Sequence, residues 1–172
     1  MILGTKLRHS SRALIALGSN LENPVSQVRR ALDELDTLPE SRLLACSSLY
    51  RSAPVGKINQ PDFINAVVEI GTTLSPHGLL KILLEIEKKH GRVRGLPNDP
   101  RTLDLDILMY DELVCNKGGL ILPHPRMHQR AFVLKPLMEI SKDCFIPSRG
   151  SVAELLSSCS NQRLEREQIC ET

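Results

Sequence analysis

The segment Leu103-Asp104-Leu105-Asp106-Ile107-Leu108 sets the first constraint on the fold. Leu103, Leu105 and Ile107 alternate with Asp104 and Asp106. A strand here therefore has one apolar face and one face with two carboxylates, whose Cα atoms stand about 7 Å apart. Asp is poor in strand interiors, and two like charges at that distance repel by about 2 kcal/mol at an effective dielectric of about 20. A cation reverses the sign. Oxygen ligands on one rigid face, with no His or Cys beside them, suit Mg²⁺ shared with substrate phosphates better than zinc. A solvated strand face is the competing reading.

The rest of the chain supplies partners for such a strand. Residues 12–17 read as a short apolar strand ended by Gly18-Ser19-Asn20, residues suited to turns and to close approach of backbone to a ligand. Asn23 and Pro24 then open a helix whose apolar positions are Val25, Val28, Ala31, Leu32 and Leu35. Residues 42–50 and 62–73 read as two further strands, separated by a loop long enough to be functional. Ser75 and Pro76 start a second helix with a stripe of Leu79, Leu80, Leu83 and Ile86, stopped by Gly91. The aspartate strand, 103–110, comes fourth. This βαββαβ order predicts an α+β, ferredoxin-like antiparallel sheet with both helices packed on one face and the active site on the other. A helical stretch over 125–140 and the segment 152–156 would be additions that cover edges or frame that site. The extension 1–11 and the polar tail 157–172 are expected to be poorly ordered, within a single catalytic domain spanning 1–172.

Charge and cysteine content narrow the function. The 172 residues carry 22 Lys and Arg against 20 Asp and Glu, a net charge of +2. Only 3% are aromatic, with three Phe, two Tyr and no Trp. Such a chain lacks the basic, stacked sheet face of an RNA-binding module, so no nucleic-acid partner is expected. Five scattered cysteines form no Cys-x-x-Cys pair, which points to the cytoplasm. Cys46, inside a strand pattern, reads as a small core residue. The apolar run near the N-terminus is too short for an export signal, and no stretch is long enough to span a bilayer.

Cations crowd the aspartate strand. Arg92, Arg94 and Arg101 precede it, and His124, Arg126, His128 and Arg130 follow. Guanidinium density beside a carboxylate pair looks like a triphosphate clamp, with residues 92–102 as a flap; surface ion pairing is the plainer account. His124 and His128 lack a third ligand at zinc spacing. No phosphate-binding glycine loop and no nucleophile elbow is present, so side chains and metal must hold any phosphates.

These residues resemble those of the 6-hydroxymethyl-7,8-dihydropterin pyrophosphokinases of folate biosynthesis, over about residues 13–140. The resemblance is carried by Ala16-Leu17-Gly18-Ser19-Asn20-Leu21, Ser48-Leu49-Tyr50-Arg51-Ser52-Ala53-Pro54-Val55-Gly56, Gln60-Pro61-Asp62-Phe63-Ile64-Asn65-Ala66, Gly91-Arg92-Val93-Arg94, Pro100-Arg101-Thr102-Leu103-Asp104-Leu105-Asp106-Ile107 and Pro123-His124. It implies a monomeric enzyme that moves the β,γ-diphosphate of ATP to the pterin hydroxymethyl group with two Mg²⁺ ions and releases AMP. By the same resemblance Asp104 and Asp106 are the metal ligands, and Arg92 and Arg101 the catalytic flap arginines. Glu87, Arg94, Ile107, His124 and Arg130 fall on ATP-binding positions. Ser52, Ala53, Val55, Phe63, Asn65 and Phe132 fall on pterin-binding positions, with the two Phe rings as a sandwich. The flap departs from the family's usual pattern: Asn98-Asp99 replaces an aromatic followed by glycine, and the flap is one residue shorter. Two other functions suit the predicted topology: a Mg²⁺-dependent, palm-type nucleotidyltransferase, which would release pyrophosphate, and a non-catalytic RNA-binding module.

Overall fold

Alternation along the first strand divides the molecule into two layers of core. The computed structural model describes residues 10–93 and 95–168. In β1 (Ser11–Ser19), Ala13, Ile15 and Leu17 are buried on one face of the sheet, with Ile64, Ala66, Val68 and Ile70 of β4 (Phe63–Thr72) and Leu105 and Ile107 of β5 (Asp104–Tyr110). Covering them are α1 (Pro24–Asp36), through Val28, Ala31 and Leu35, and α2 (Pro76–Lys89), through Leu79, Leu83 and Ile86. Caps set the start of both helices: Asn23 Oδ1 accepts from Ser26 N at 3.4 Å and Ser75 Oγ from Gly78 N at 3.1 Å. Leu83 is fully buried, so Leu83→Ala is expected to cost about 2–5 kcal/mol, measured by urea unfolding.

Between β1 and β4 lie β2 (Ser41–Cys46) and β3 (Tyr50–Ser52), both antiparallel to β4. The sheet runs β3-β4-β1-β5, with β2 continuing the β3 side, and every pair in it is antiparallel. This is the ferredoxin-like order. The strand predicted over 42–50 is broken at Ser47, whose Oγ accepts from Val67 N at 3.0 Å where a ladder carbonyl would have done so. The break turns β3 toward the open face. Cys46, at the end of edge strand β2, is exposed and not the core residue expected.

The second face is only half covered. Leu14, Val67 and Leu108 pack against α3 (Ala131–Ile140) and α4 (Val152–Ser157), chiefly Ala131, Leu134, Leu137 and Val152. A hairpin of β6 (Cys115–Lys117) and β7 (Leu120–Leu122) and a small pair, β8 (Phe145–Ile146) with β9 (Gly150–Ser151), complete the additions. The helix expected over 125–140 is two pieces, a 3₁₀ turn at Met127–Gln129 and then α3, because Arg130 is extended (φ −121°, ψ 107°).

The tail corrects another expectation. After α4 the chain does not fray but adds β10 (Leu164–Arg166), antiparallel to β3, and Glu167 receives a two-pronged bond from Arg51 (Nε 3.0 Å, Nη2 2.9 Å). An edge strand leaves unpaired N–H and C=O groups, and β10 satisfies those of β3. Residues 1–9 and 169–172 lie outside the described residues. Ser10 and Ser11 are described, and Ser11 opens β1.

Candidate active site

The uncovered half of the second face forms a pocket floor. Register places Ala16 between Val67 and Asp106, and Gly18 between Asn65 and Asp104. Small residues in the central strand thus separate the aspartates from β4 without filling the space above. A Cβ on Gly18 would stand 3.5 Å from Asn65 Oδ1 and 4.0 Å from the Phe63 ring, so any longer side chain there would enter the pocket.

Charge is concentrated on the β5 side. Both oxygens of Asp104 are held by arginines: Oδ1 by Arg92 Nη1, and Oδ2 by Arg101 Nη1 at 2.8 Å. Arg92 Nη1 also meets Glu87 Oε1. Burial works against the Arg92 charge, but Asp104 and Glu87 outweigh it and hold the guanidinium above its ordinary pKa. Asp106 has no such guanidinium clasp. Burial, and then repulsion from Asp104, push its carboxyl up to about 6. Its neighbour is His124, with Nε2 3.8 Å from Asp106 Oδ2. Burial first, then Arg130 and Arg126, push His124 down to about 4, so the ring is neutral at pH 7. Because Nδ1 accepts from Arg126 N at 3.2 Å, the ring carries its proton on Nε2, facing Asp106.

Aromatic rings stand on both sides. Phe63 at the start of β4 and Phe132 at the start of α3 both line the pocket, with Ser52, Ala53, Val55 and Asn65 near Phe63. Arg101 lies over the Phe63 ring and Arg130 over Phe132, each 5.4 Å from the centroid. Asn65 is buried; its Nδ2 donates to Ser52 Oγ at 2.9 Å and to Tyr50 O at 3.2 Å. That fixes the amide so that Oδ1 lies beside Gly18.

The family model for 7,8-dihydro-6-hydroxymethylpterin-pyrophosphokinase (HPPK) matches residues 14–142. The chain belongs to this family. Similar proteins include the 2-amino-4-hydroxy-6-hydroxymethyldihydropteridine pyrophosphokinase of Pseudomonas aeruginosa, 46% identical over 155 residues, covering 90% of this chain and 96% of that one. The protein of the same name from Haemophilus influenzae is 43% identical over 152 residues, 88% of this chain and 95% of that one. Among solved structures, Plasmodium falciparum HPPK-DHPS wild type with pteroate superposes with a TM-score of 0.70 at 12% identity, over 87% of this chain and 42% of that larger chain. That likeness is one of fold.

Most of the positions that the HPPK resemblance assigns face the pocket. Arg92, Arg101, Asp104, Asp106, His124 and Arg130 line it, as do all six residues of the expected pterin wall. Glu87 and Ile107 do not. Ile107 alternates onto the helix face and is buried in the α1/α2 core, so its side chain cannot meet a nucleotide in the pocket. Glu87 is 3% exposed on α2, behind the strand, where Oε1 accepts from Leu105 N at 2.8 Å as well as from Arg92. Burial pushes it up to about 7, and its place is that of an anchor for Arg92 and β5. Arg94 lies outside the described residues.

The pocket of this HPPK member also has residues that the sequence reading did not assign. Pro97, Asn98 and Arg126 line it. Asn20, buried after β1, joins three segments: its Oδ1 accepts from Arg101 N at 2.9 Å, and its Nδ2 donates to Gln60 Oε1 at 2.8 Å and Pro61 O at 3.0 Å. The Gly18-Ser19-Asn20 motif hinted at close approach; what approaches here is protein backbone.

The donor set fits a divalent hard cation held jointly with phosphate. Among the described residues no group of three or more His, Cys, Asp or Glu could cage an ion. Two carboxylates on one strand, one of them raised by its neighbour's charge, are relieved by a cation that leaves most of its coordination sphere to other oxygens.

Proposed function

We propose that this HPPK-family enzyme transfers the β,γ-diphosphate of ATP to the hydroxymethyl group of 6-hydroxymethyl-7,8-dihydropterin, in folate biosynthesis, at the pocket between Phe63 and the aspartate pair. The observation that supports this site is the meeting, over one glycine and alanine floor, of a carboxylate pair, four arginines and two aromatic rings. The acceptor hydroxyl oxygen bonds to the β-phosphorus, the bond from that phosphorus to the oxygen bridging it to the α-phosphorus breaks, and AMP leaves with that oxygen. Incubation with Mg²⁺, ATP and the pterin, followed by chromatography, should yield AMP only in the complete mixture. ADP, or AMP without pterin, would overturn the reaction.

Asp104 and Asp106 would hold two Mg²⁺ ions. Bound there, magnesium neutralises the triphosphate and acidifies the acceptor hydroxyl. Arg92 and Arg101, which hold Asp104, would turn to the charge developing on the phosphates. Arg130 and the neutral His124 line the nucleotide side. Asn65 Oδ1 would accept from the pterin's pyrimidine edge, and the backbone of Ser52, Ala53 and Val55 would meet the rest of it. Phe63→Ala is expected to weaken pterin binding about tenfold or more with ATP binding unchanged, by fluorescence titration of each ligand.

The pocket draws on β1, β4, β5 and α3 together, which supports a single catalytic domain. Cys46, Cys115, Cys144 and Cys159 are free thiols, which supports a cytoplasmic enzyme. No described helix is long and apolar enough to cross a membrane, and a net charge of +2 gives no footprint for nucleic acid.

A further inference from the structure

Residues 53–61, of which Ala53 and Val55 line the pocket, meet the flap through contacts that the site chemistry does not use. Lys57 Nζ forms an ion pair with Asp99 Oδ1. The other oxygen of Asp99 accepts from Leu96 N at 2.7 Å, and the two contacts, Lys57 first, hold this carboxyl below its ordinary pKa. Gln60 Nε2 donates to Asn98 O at 3.0 Å.

Two glycines make room for these contacts. A Cβ on Gly56, where φ is +88°, would stand 2.8 Å from Asn98 Nδ2. One on Gly95 would stand 2.5 Å from Asp99 Oδ2. Asn98 is itself left-handed (φ 64°) and lines the pocket, as does Val55 across from it.

We propose that Lys57 and Asp99 form a charge-dependent clasp that closes the loop carrying Val55 onto the flap, and that this clasp sets the enzyme's affinity for the pterin. It acts by position: with the two loops joined beforehand, the pterin does not have to order them, and Asn98 is held as the pocket's outer edge. The pair is partly exposed, so its strength falls with ionic strength. The inference rests on the reading of Val55 and Phe63 as the pterin wall.

The test is a charge-swap cycle. Oxidised 6-hydroxymethylpterin is titrated by fluorescence into wild type, Lys57→Glu, Asp99→Lys and the double swap, at about 0.05 M and about 0.5 M NaCl. Each single variant is expected to raise the pterin Kd roughly threefold to tenfold at low salt, the double swap to return it to within about twofold, and high salt to shrink every difference. The Kd for ATP should not move. Losses that add in the double swap, or that persist at high salt, would overturn the clasp. Phe63→Ala in the same series separates the two readings: unchanged pterin binding in that variant refutes the pterin wall, whereas a loss there with flat charge variants refutes only the clasp.

Discussion

The Asp106→Ala enzyme is expected to fold and to lose turnover by at least about a thousandfold, equivalent to about 4 kcal/mol in the barrier. Among the described residues Asp106 has no backbone N–H or arginine partner, and it packs no core, so its removal should leave the fold intact. Stability gives a second readout. The carboxyl is at about 6 in the folded chain, above the ordinary 3.8, so the folded state holds the proton more tightly than the unfolded one. Stability is full below the ordinary value and declines as pH rises through about 6. Asp106→Asn should therefore melt higher than wild type at pH about 8, with the difference closing toward pH about 4. Added magnesium should raise the melting temperature of wild type and not of Asp106→Ala. An active alanine variant, or one that magnesium still stabilises equally, would remove Asp106 from the metal site.

Arg101→Ala is expected to lower kcat by about a hundredfold or more while the Kd for ATP changes by less than about threefold. Arg101 is one of two cations on Asp104, and Arg92 keeps the other oxygen paired when Arg101 is removed. Its backbone is fixed independently, through Asn20, so the variant should not disturb the flap's root. Arg101→Lys should recover little, because a lysine lacks the planar guanidinium that stands over Phe63 while one of its nitrogens reaches Asp104. Equal losses in kcat and ATP affinity would instead mark Arg101 as a ground-state binding residue.

The parts of the fold that were legible in the sequence were those governed by a single period. Leu103, Leu105 and Ile107 against Asp104 and Asp106 gave the orientation of β5, and the capped helices after Asn23 and Ser75 gave the layer beneath it. Ser47 was not legible, because a hydroxyl replacing a ladder carbonyl leaves no trace in hydrophobic pattern. Nor was β10, three residues of mixed polarity that become a strand only because β3 offers an open edge. Most of the residues singled out in the sequence come together around one pocket. Glu87 and Ile107 show the limit: a family position says that a residue matters, whereas strand parity and burial say whether its side chain can reach the ligand. The alternation that placed the aspartates on one face also placed Ile107 on the other.

Strand β10 bears on how the protein should be handled. By polarity, residue 157 looks like a safe place to cut the chain or attach a fusion partner. Cutting there would strip the outer edge of β3, whose Ser52 lines the pocket, and would remove the carboxylate that grips Arg51. An expression tag belongs beyond β10 and Glu167, whose N–H donates to Leu49 O at 2.8 Å.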